Sequence, residues 1–172
     1  MLRAMTRFRS HMPAALEEAR AAAARGEAPV GALVVDPRSG EVLARAGNAM
    51  RRLHDPTAHA EILAIRAACA ALGRDRLDGL DLWATLEPCP MCAGAIAHAR
   101  IGRVYYGAED PKGGGVAHGP EVFRRAGLWR PEVYGGIAAG ESLEILRGFF
   151  AGLREEKAAP LPKSASSGVR RA

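Results

Sequence analysis

The sequence predicts one α/β domain, a sheet lying between two layers of helices. Stretches with helical spacing alternate with four short strand patterns, at residues 30–35, 41–47, 80–86 and 104–107. A chain of 172 residues can also bury roughly 70% of its unfolded surface, so it needs no disulfide scaffold. We therefore expect a single domain over residues 1–157. Residues 158–172, rich in Ala, Pro and Ser, are expected to form a disordered tail.

The first half of the chain predicts a helix followed by two strands. Residues 14–25 place Leu16, Ala19 and Ala23 at helical spacing, and Gly26 ends the segment. Two extended segments follow at 30–35 and 41–47, and residues 36–40 between them are typical of a turn. The order helix, strand, strand is the expectation for this half.

The second half continues the alternation. Thr57 is suited to cap a helix that runs to Gly73, and a strand is expected at 80–86. Pro90 fits the first position of a helix to about residue 99, because its missing N–H costs nothing there. A strand at 104–107 and a last helix at about 142–155 complete the pattern.

Charge and cysteine content narrow the class of protein. The net charge of +5 and the pI near 9.6 favour a polyanionic partner without identifying it. Two of the three cysteines stand in a Pro-flanked Cys-x-x-Cys pattern, which favours a metal site over disulfides. No export signal or membrane-spanning stretch is visible, so we expect a soluble cytoplasmic protein without membrane association.

A split motif predicts a catalytic zinc site. His59, Cys89 and Cys92 supply one imidazole and two thiolates, and three protein ligands leave a fourth position for water. Cys89 caps a helix in this reading, and Cys92 lies on the same face one turn later. Cys69 lies about 15 Å along the helix from His59, too far to be a fourth ligand, and is expected in the core. We therefore expect one Zn²⁺ per subunit.

Glu61 is the expected proton carrier of this site. It stands two residues after His59, so the two side chains converge only within the first turn of a helix, where Thr57 as the cap would place them. Zinc lowers the pKa of a bound water, Glu61 takes its proton during attack on an amine-bearing ring carbon, and Glu61 then protonates the departing ammonia. His, Glu and paired Cys in this order are the signature of zinc nucleobase deaminases.

Several further blocks carry a closer resemblance. From about residue 11 to residue 154 the chain resembles bacterial tRNA-specific adenosine deaminases of the cytidine deaminase-like superfamily. The blocks are Pro29-Val30-Gly31-Ala32, Asn48, His54-Asp55-Pro56-Thr57-Ala58-His59-Ala60-Glu61, Thr85-Leu86-Glu87-Pro88-Cys89, Met91-Cys92-Ala93-Gly94-Ala95 and Arg100-Ile101-Gly102-Arg103-Val104.

The resemblance implies a fold, a reaction and partners. The fold is the three-layer α/β/α arrangement of the superfamily, with a central five-stranded mixed sheet flanked by helices. The reaction is hydrolytic deamination of the wobble adenosine, the first anticodon position, of an arginine tRNA to inosine. The partners are the tRNA anticodon stem-loop and a second copy of the chain in a homodimer.

The resemblance also implies which residues meet the substrate. Asn48 would hydrogen-bond the flipped base, and Asp110 would lie beside the target ribose. The apolar pocket walls would be Val30, Ala60 and Leu86. Further candidates for tRNA contact are Lys112, Phe149, Phe150 and Arg154.

Two departures and two alternatives accompany this reading. Glu109 places a carboxylate where many family members have a basic or small residue, which disfavours RNA binding unless the carboxylate is paired. Lys112 precedes three glycines, the reverse of a phosphate-binding loop, so no nucleotide cofactor is expected.

Two alternative functions are also open. A free guanine or cytosine deaminase would use the same zinc ligands and the same glutamate. A non-catalytic zinc-stapled RNA-binding module would need a fourth zinc ligand.

Overall fold

A five-stranded mixed sheet forms the middle layer of the structure, a computed structural model that describes residues 8–158. The strands are β1 (Gly31–Asp36), β2 (Glu41–Gly47), β3 (Asp81–Leu86), β4 (Arg103–Ala108) and β5 (Glu132–Tyr134), in the order β2-β1-β3-β4-β5. β1 is antiparallel to β2 and β3, whereas β3, β4 and β5 are parallel. The expected five-stranded mixed sheet is confirmed. The segment expected to be a disordered tail lies, from residue 159 on, outside the described residues.

Five α-helices accompany the sheet within residues 8–158. They are α1 (Met12–Ala24), α2 (Met50–Leu53), α3 (Ala60–Leu72), α4 (Pro90–His98) and α5 (Ala139–Ala158), with a 3-10 turn at Val122–Arg124. Four of the helices match predicted segments. The prediction for the last helix was too short, since α5 begins at Ala139 and continues to Ala158. The short α2, the 3-10 turn and β5 were not predicted from local pattern.

Side chains of the strands alternate between two apolar clusters on opposite faces of the sheet. Ala32 and Val34 pack with residues of α3 and α4, whereas Leu33 and Val35 pack with residues of α1 and with Ile145 of α5. This period of two is what a sheet buried on both faces requires. The α/β/α layering is therefore confirmed, with α3 and α4 in one layer and α1 and α5 in the other.

Two paired glycines let α1 lie directly on the sheet. Gly31 of β1 pairs with Gly47 of β2. A Cβ on Gly31 would lie 2.7 Å from the Ala19 nitrogen, and a Cβ on Gly47 would lie 2.7 Å from the Glu18 oxygen. No side chain fits at either position, so this close approach fixes the start of β1 and the end of β2.

No helix within residues 8–158 combines the length and the apolar character needed to cross a membrane.

Candidate metal centre and substrate pocket

The three predicted zinc ligands lie at the starts of two neighbouring helices. His59 and Cys89 are the residues that immediately precede α3 and α4, both with extended backbone, and Cys92 lies in the first turn of α4. Pro90 occupies the first turn of α4 as predicted. Because α3 and α4 cover the same face of the sheet, their N-termini bring the ligands together.

Thr57 does not cap α3, which corrects the prediction. His59 holds the cap position, and Thr57 instead donates its hydroxyl and its backbone N–H to Asp55 Oδ1, at 2.7 and 2.8 Å. Asp55 thus closes the turn before the helix. His59 and Glu61 still fall within the first turn of α3, because the helix begins one residue after His59.

The ligand atoms have the spacing of a tetrahedral metal site. His59 Nδ1 lies 3.6 Å from Cys89 Sγ and 3.5 Å from Cys92 Sγ. All three ligand atoms lie within 4.8 Å of one another. Zinc bonds of about 2.0 Å to nitrogen and 2.3 Å to sulfur, at the tetrahedral angle, separate the nitrogen and sulfur atoms by about 3.5 Å. The residues present therefore fit zinc.

The two thiols differ in acidity. The pKa of Cys89 is lowered to about 4, chiefly by a hydrogen bond from the Cys92 thiol and further by His59. The same Cys89 contact, together with burial, raises the pKa of Cys92. The hydrogen bond with Cys89 raises the pKa of His59. A thiolate is thus favoured at Cys89 near neutral pH, and a thiolate is the form that binds metal.

Glu61 is buried beside the cluster, with only 3% of its surface exposed. Burial raises its pKa to about 7, so the carboxyl group can accept or give up a proton near neutrality. One carboxyl oxygen, Oε2, has no hydrogen-bond partner among the described residues. A buried, unpaired oxygen next to three ligands has the chemistry expected of a group that faces a reacting water.

Residues predicted to line the base pocket lie on elements next to this centre. Asn48 is 4% exposed and directly follows β2; its backbone N–H donates to the Val30 carbonyl at 2.9 Å, so these two residues are adjacent. Ala60 is fully buried in the first turn of α3. Leu86 ends β3, three residues before Cys89, and is half-buried. Their roles toward a base stay predictions.

A buried carboxylate that sequence reasoning missed holds the segment that follows Asn48. Glu27, 1% exposed, accepts the backbone N–H groups of Arg51 and Arg52, at 3.3 and 2.8 Å. Burial alone would raise the pKa of Glu27, but these hydrogen bonds hold it below its usual value. Glu27 thereby fixes α2, the short helix that follows Asn48.

A second missed carboxylate, Glu87, holds the segment that contains Asp110. Its side chain has no exposed surface and accepts hydrogen bonds from the segment after β4, including the Asp110 N–H at 3.0 Å. Asp110 Oδ1 in turn accepts the N–H groups of Lys112 and Gly113, at 3.1 and 2.9 Å. Glu87 belongs to the Thr85-to-Cys89 block that carries the resemblance, but no role was predicted for it.

Three of the four remaining candidates for RNA contact lie on the other face of the sheet from the ligands. Phe149, Phe150 and Arg154 belong to α5, which covers the other face of the sheet from α3 and α4. The rings of Phe149 and Phe150 pack edge to face, 5.4 Å apart, and Phe150 is 46% exposed. Lys112 is exposed in the segment after β4.

Two other residues discussed from the sequence, Glu109 and Cys69, also have defined places. Glu109 is exposed, and its Oε2 lies 4.0 Å from His118 Nε2, so its carboxylate has a cationic neighbour whenever His118 is protonated. Cys69 packs against the core and is not part of the metal cluster, as predicted. Over residues 8–158 that cluster consists of His59, Cys89 and Cys92, with no fourth protein ligand.

Comparison with known proteins agrees with this geometry. A sequence model of the family described as "Cytidine and deoxycytidylate deaminase zinc-binding region" matches residues 5–108. The tRNA-specific adenosine deaminase of Agrobacterium fabrum is 56% identical over 144 residues, which cover 83% of this chain and 93% of that protein.

Solved structures of deaminases also resemble this chain in fold. A structure from studies of A-to-I editing by tRNA:A34 deaminases at the wobble position is 56% identical, with a TM-score of 0.76 over 78% of this chain and 97% of the other. A guanine deaminase from Nitrosomonas europaea is 27% identical, with a TM-score of 0.72 over 81% and 82% of the two chains. The fold is thus shared by enzymes with different substrates.

Proposed function

Because the chain belongs to the zinc-binding cytidine and deoxycytidylate deaminase family, we propose that it is a tRNA adenosine deaminase that converts the wobble adenosine of an arginine tRNA to inosine. The observation that carries the proposal is the buried Glu61, with its unpaired Oε2, beside a three-ligand cluster of tetrahedral spacing. The identity to a tRNA-specific adenosine deaminase over most of both chains supports the substrate.

The residues of the site have distinct roles in this proposal. His59, Cys89 and Cys92 would hold zinc, and a bound zinc would supply its acidifying effect on a reacting water. Glu61 takes a proton as the water oxygen bonds to the ring carbon that carries the amine. Glu61 then delivers a proton to that amine, the carbon–nitrogen bond breaks, and ammonia leaves. A pKa near 7 suits a group that does both.

The substrate pocket is proposed to lie between the end of β2 and the segment after β4. Asn48 hydrogen-bonds the edge of the extruded adenine, and Val30, Ala60 and Leu86 provide apolar contact with its faces. Asp110 lies beside the ribose, and Lys112 meets phosphates. RNA contacts by Phe149, Phe150 and Arg154 of α5 belong to the same proposal, as do a homodimer and action in the cytoplasm, where tRNA is decoded.

A guanine deaminase is the second candidate, because a guanine deaminase shares this fold over most of both chains. A free base needs no basic surface around the pocket, whereas an anticodon loop does. The third reading, a zinc-stapled RNA-binding module, is disfavoured because residues 8–158 hold no fourth ligand in the cluster.

One substrate panel tests the proposal. Zinc-loaded protein is incubated with an arginine tRNA anticodon stem-loop and, separately, with free adenosine, cytidine, cytosine and guanine, and both inosine and ammonia are measured. We expect inosine from the stem-loop alone. Release of ammonia from guanine without reaction of the stem-loop would support the second candidate, and no ammonia from any substrate would support the third. A stem-loop with guanosine at the wobble position is the matched control.

A further inference from the structure

The Glu87 carboxylate lies within hydrogen-bond distance of five nitrogen atoms. Its carboxylate has no exposed surface. Oε1 accepts three consecutive backbone N–H groups, those of Val116, Ala117 and His118, at 3.2, 2.9 and 3.0 Å. Oε2 lies 3.0 Å from the Asp110 nitrogen and 2.7 Å from His118 Nδ1. A carboxylate is buried only when it is well paired, and this one is paired entirely with one segment.

These contacts tie the two ends of that segment together. Residues 109–118, called here the β4 loop, follow β4 and contain no helix or strand. Asp110 stands near the start of the β4 loop, and Val116 to His118 stand at its end. Since both ends bond to the same carboxylate, the path of the loop depends on Glu87 rather than on regular secondary structure.

The β4 loop also packs closely against the start of α4. The Gly115 N–H donates to the Pro88 carbonyl at 2.9 Å. A Cβ at Gly115 would lie 2.6 Å from the Pro90 nitrogen, so only glycine fits there. The backbone N–H of Glu87 itself donates to the Ala108 carbonyl at 2.8 Å, which joins β3 to the end of β4. Glu87 thus lies between the metal ligand Cys89 and the loop.

We propose that Glu87 is a positioning residue that fixes the β4 loop against the start of α4, and so determines where Asp110 and Lys112 meet the substrate. The part that concerns substrate rests on the proposed function, because it takes Asp110 and Lys112 as RNA contacts. The part that concerns the loop rests only on the hydrogen bonds described.

Glu87→Gln tests the loop without a change of shape. A glutamine can keep an oxygen toward Val116, Ala117 and His118, but its NH₂ group then faces the Asp110 N–H and cannot accept that bond. Hydrogen–deuterium exchange is measured on zinc-loaded protein, with amides of α1 as the reference. We expect exchange at Asp110 to be at least tenfold faster and the zinc content to stay at one per chain. Unchanged exchange at Asp110, or loss of zinc, would overturn the proposal.

Kinetics on the stem-loop separate positioning from general support. We expect Glu87→Gln to raise KM at least fivefold while kcat stays within about threefold. We also expect Glu87→Gln to add no further loss to a variant that already carries Asp110→Asn and Lys112→Ala, because Glu87 acts through these two residues. Additive losses would contradict this. Glu121→Gln, which alters a carboxylate beyond the β4 loop that pairs with Arg124, is the control expected to change neither exchange nor KM.

A second variant covers the case in which Glu87→Gln does not fold. His118→Ala removes the side-chain contacts with Glu87 and Glu109 and leaves the four backbone bonds to Glu87. We expect faster exchange at the backbone amides of residues 117 and 118. Unchanged exchange there would count against the proposal. Exchange needs no substrate, so a failure of the proposed function would leave these results interpretable.

Discussion

Nδ1 of His59 lies 3.5 Å from Sγ of Cys92, although the two residues are 33 positions apart. The contact exists because α3 and α4 cover the same face of the sheet and begin at neighbouring points. Cys89 occupies the equivalent place at the start of α4 that His59 occupies at the start of α3. Two helix starts therefore build the metal site, and Glu61 enters it from the first turn of α3.

Glu61→Gln should abolish turnover and keep the metal. The amide has nearly the shape of the carboxyl group but cannot carry a proton between the water and the leaving amine. We expect a loss of about 100- to 10,000-fold in kcat on the stem-loop, with one zinc per chain still present by elemental analysis. Turnover within a factor of ten of the unaltered protein would contradict the assignment of Glu61.

Removal of a predicted metal ligand, unlike Glu61→Gln, should cause loss of the zinc as well as loss of activity. His59→Ala and Cys92→Ala each leave two ligands, so we expect zinc to be lost on dialysis together with activity. Cys69→Ala is the matched control, because Cys69 is a thiol in the core outside the cluster. It should retain zinc and lower the free energy of unfolding by only about 1 kcal/mol. Zinc retained by His59→Ala would disprove its role as a ligand.

Stability of the β4 loop should depend on pH through His118. Its hydrogen bond to Glu87 raises the pKa of His118 above the usual value of 6.5, and Glu109 and Asp110 add to the effect. A group whose pKa is raised by folding contributes stability that is fully present below the unfolded pKa and is lost as pH rises through the folded pKa. Amide exchange at Ala117 and His118 should therefore show protection that decreases as the pH rises above 6.5, once intrinsic exchange is corrected.

The control for this pH dependence is His118→Gln, which can still hydrogen-bond Glu87 but does not titrate. We expect its corrected protection to be flat over the same range. Protection that increases with pH in the unaltered protein, or an identical slope in His118→Gln, would show that another group is responsible.

Salt should weaken activity on the stem-loop, because phosphate contacts release counterions. Lys112→Ala should reduce the slope of log(kcat/KM) against log[salt] by about 0.7 for one phosphate contact to a single strand. Arg38→Ala is the matched control, since Arg38 lies in the turn between β1 and β2, at the end of the sheet away from Cys89. Equal slopes for Lys112→Ala and the unaltered protein would show that Lys112 makes no phosphate contact.

Much of the fold was predictable because its signals are local. Apolar periodicity and turn residues locate α1, β1, β2, β3, α4 and β4 to within a few residues. β5 is only three residues long and all three are exposed, so it carries no apolar pattern, and it forms because β4 offers a free edge. The four-residue α2 has no buried residue and depends on Glu27, which is distant in sequence.

The candidate site also contains some residues that were predictable from the sequence and others that were not. His59, Cys89 and Cys92 were predictable because zinc demands particular residue types at helix starts. Thr57 was wrongly taken as a cap, since Asp55 accepts its hydroxyl, and no sequence rule decides between those two bonds. Glu87 was missed because its partners lie 23 to 31 residues further along the chain and are mostly backbone groups.

The position of inosine in one reacted stem-loop tests the central claim most directly. An arginine tRNA anticodon stem-loop that carries adenosine both at the wobble position and at the next position is treated with zinc-loaded protein and sequenced. We expect inosine at the wobble position, at least a hundredfold less at the neighbouring one, and at least a hundredfold slower formation with Glu61→Gln. Equal inosine at both positions, or inosine formed equally by Glu61→Gln, would contradict the account.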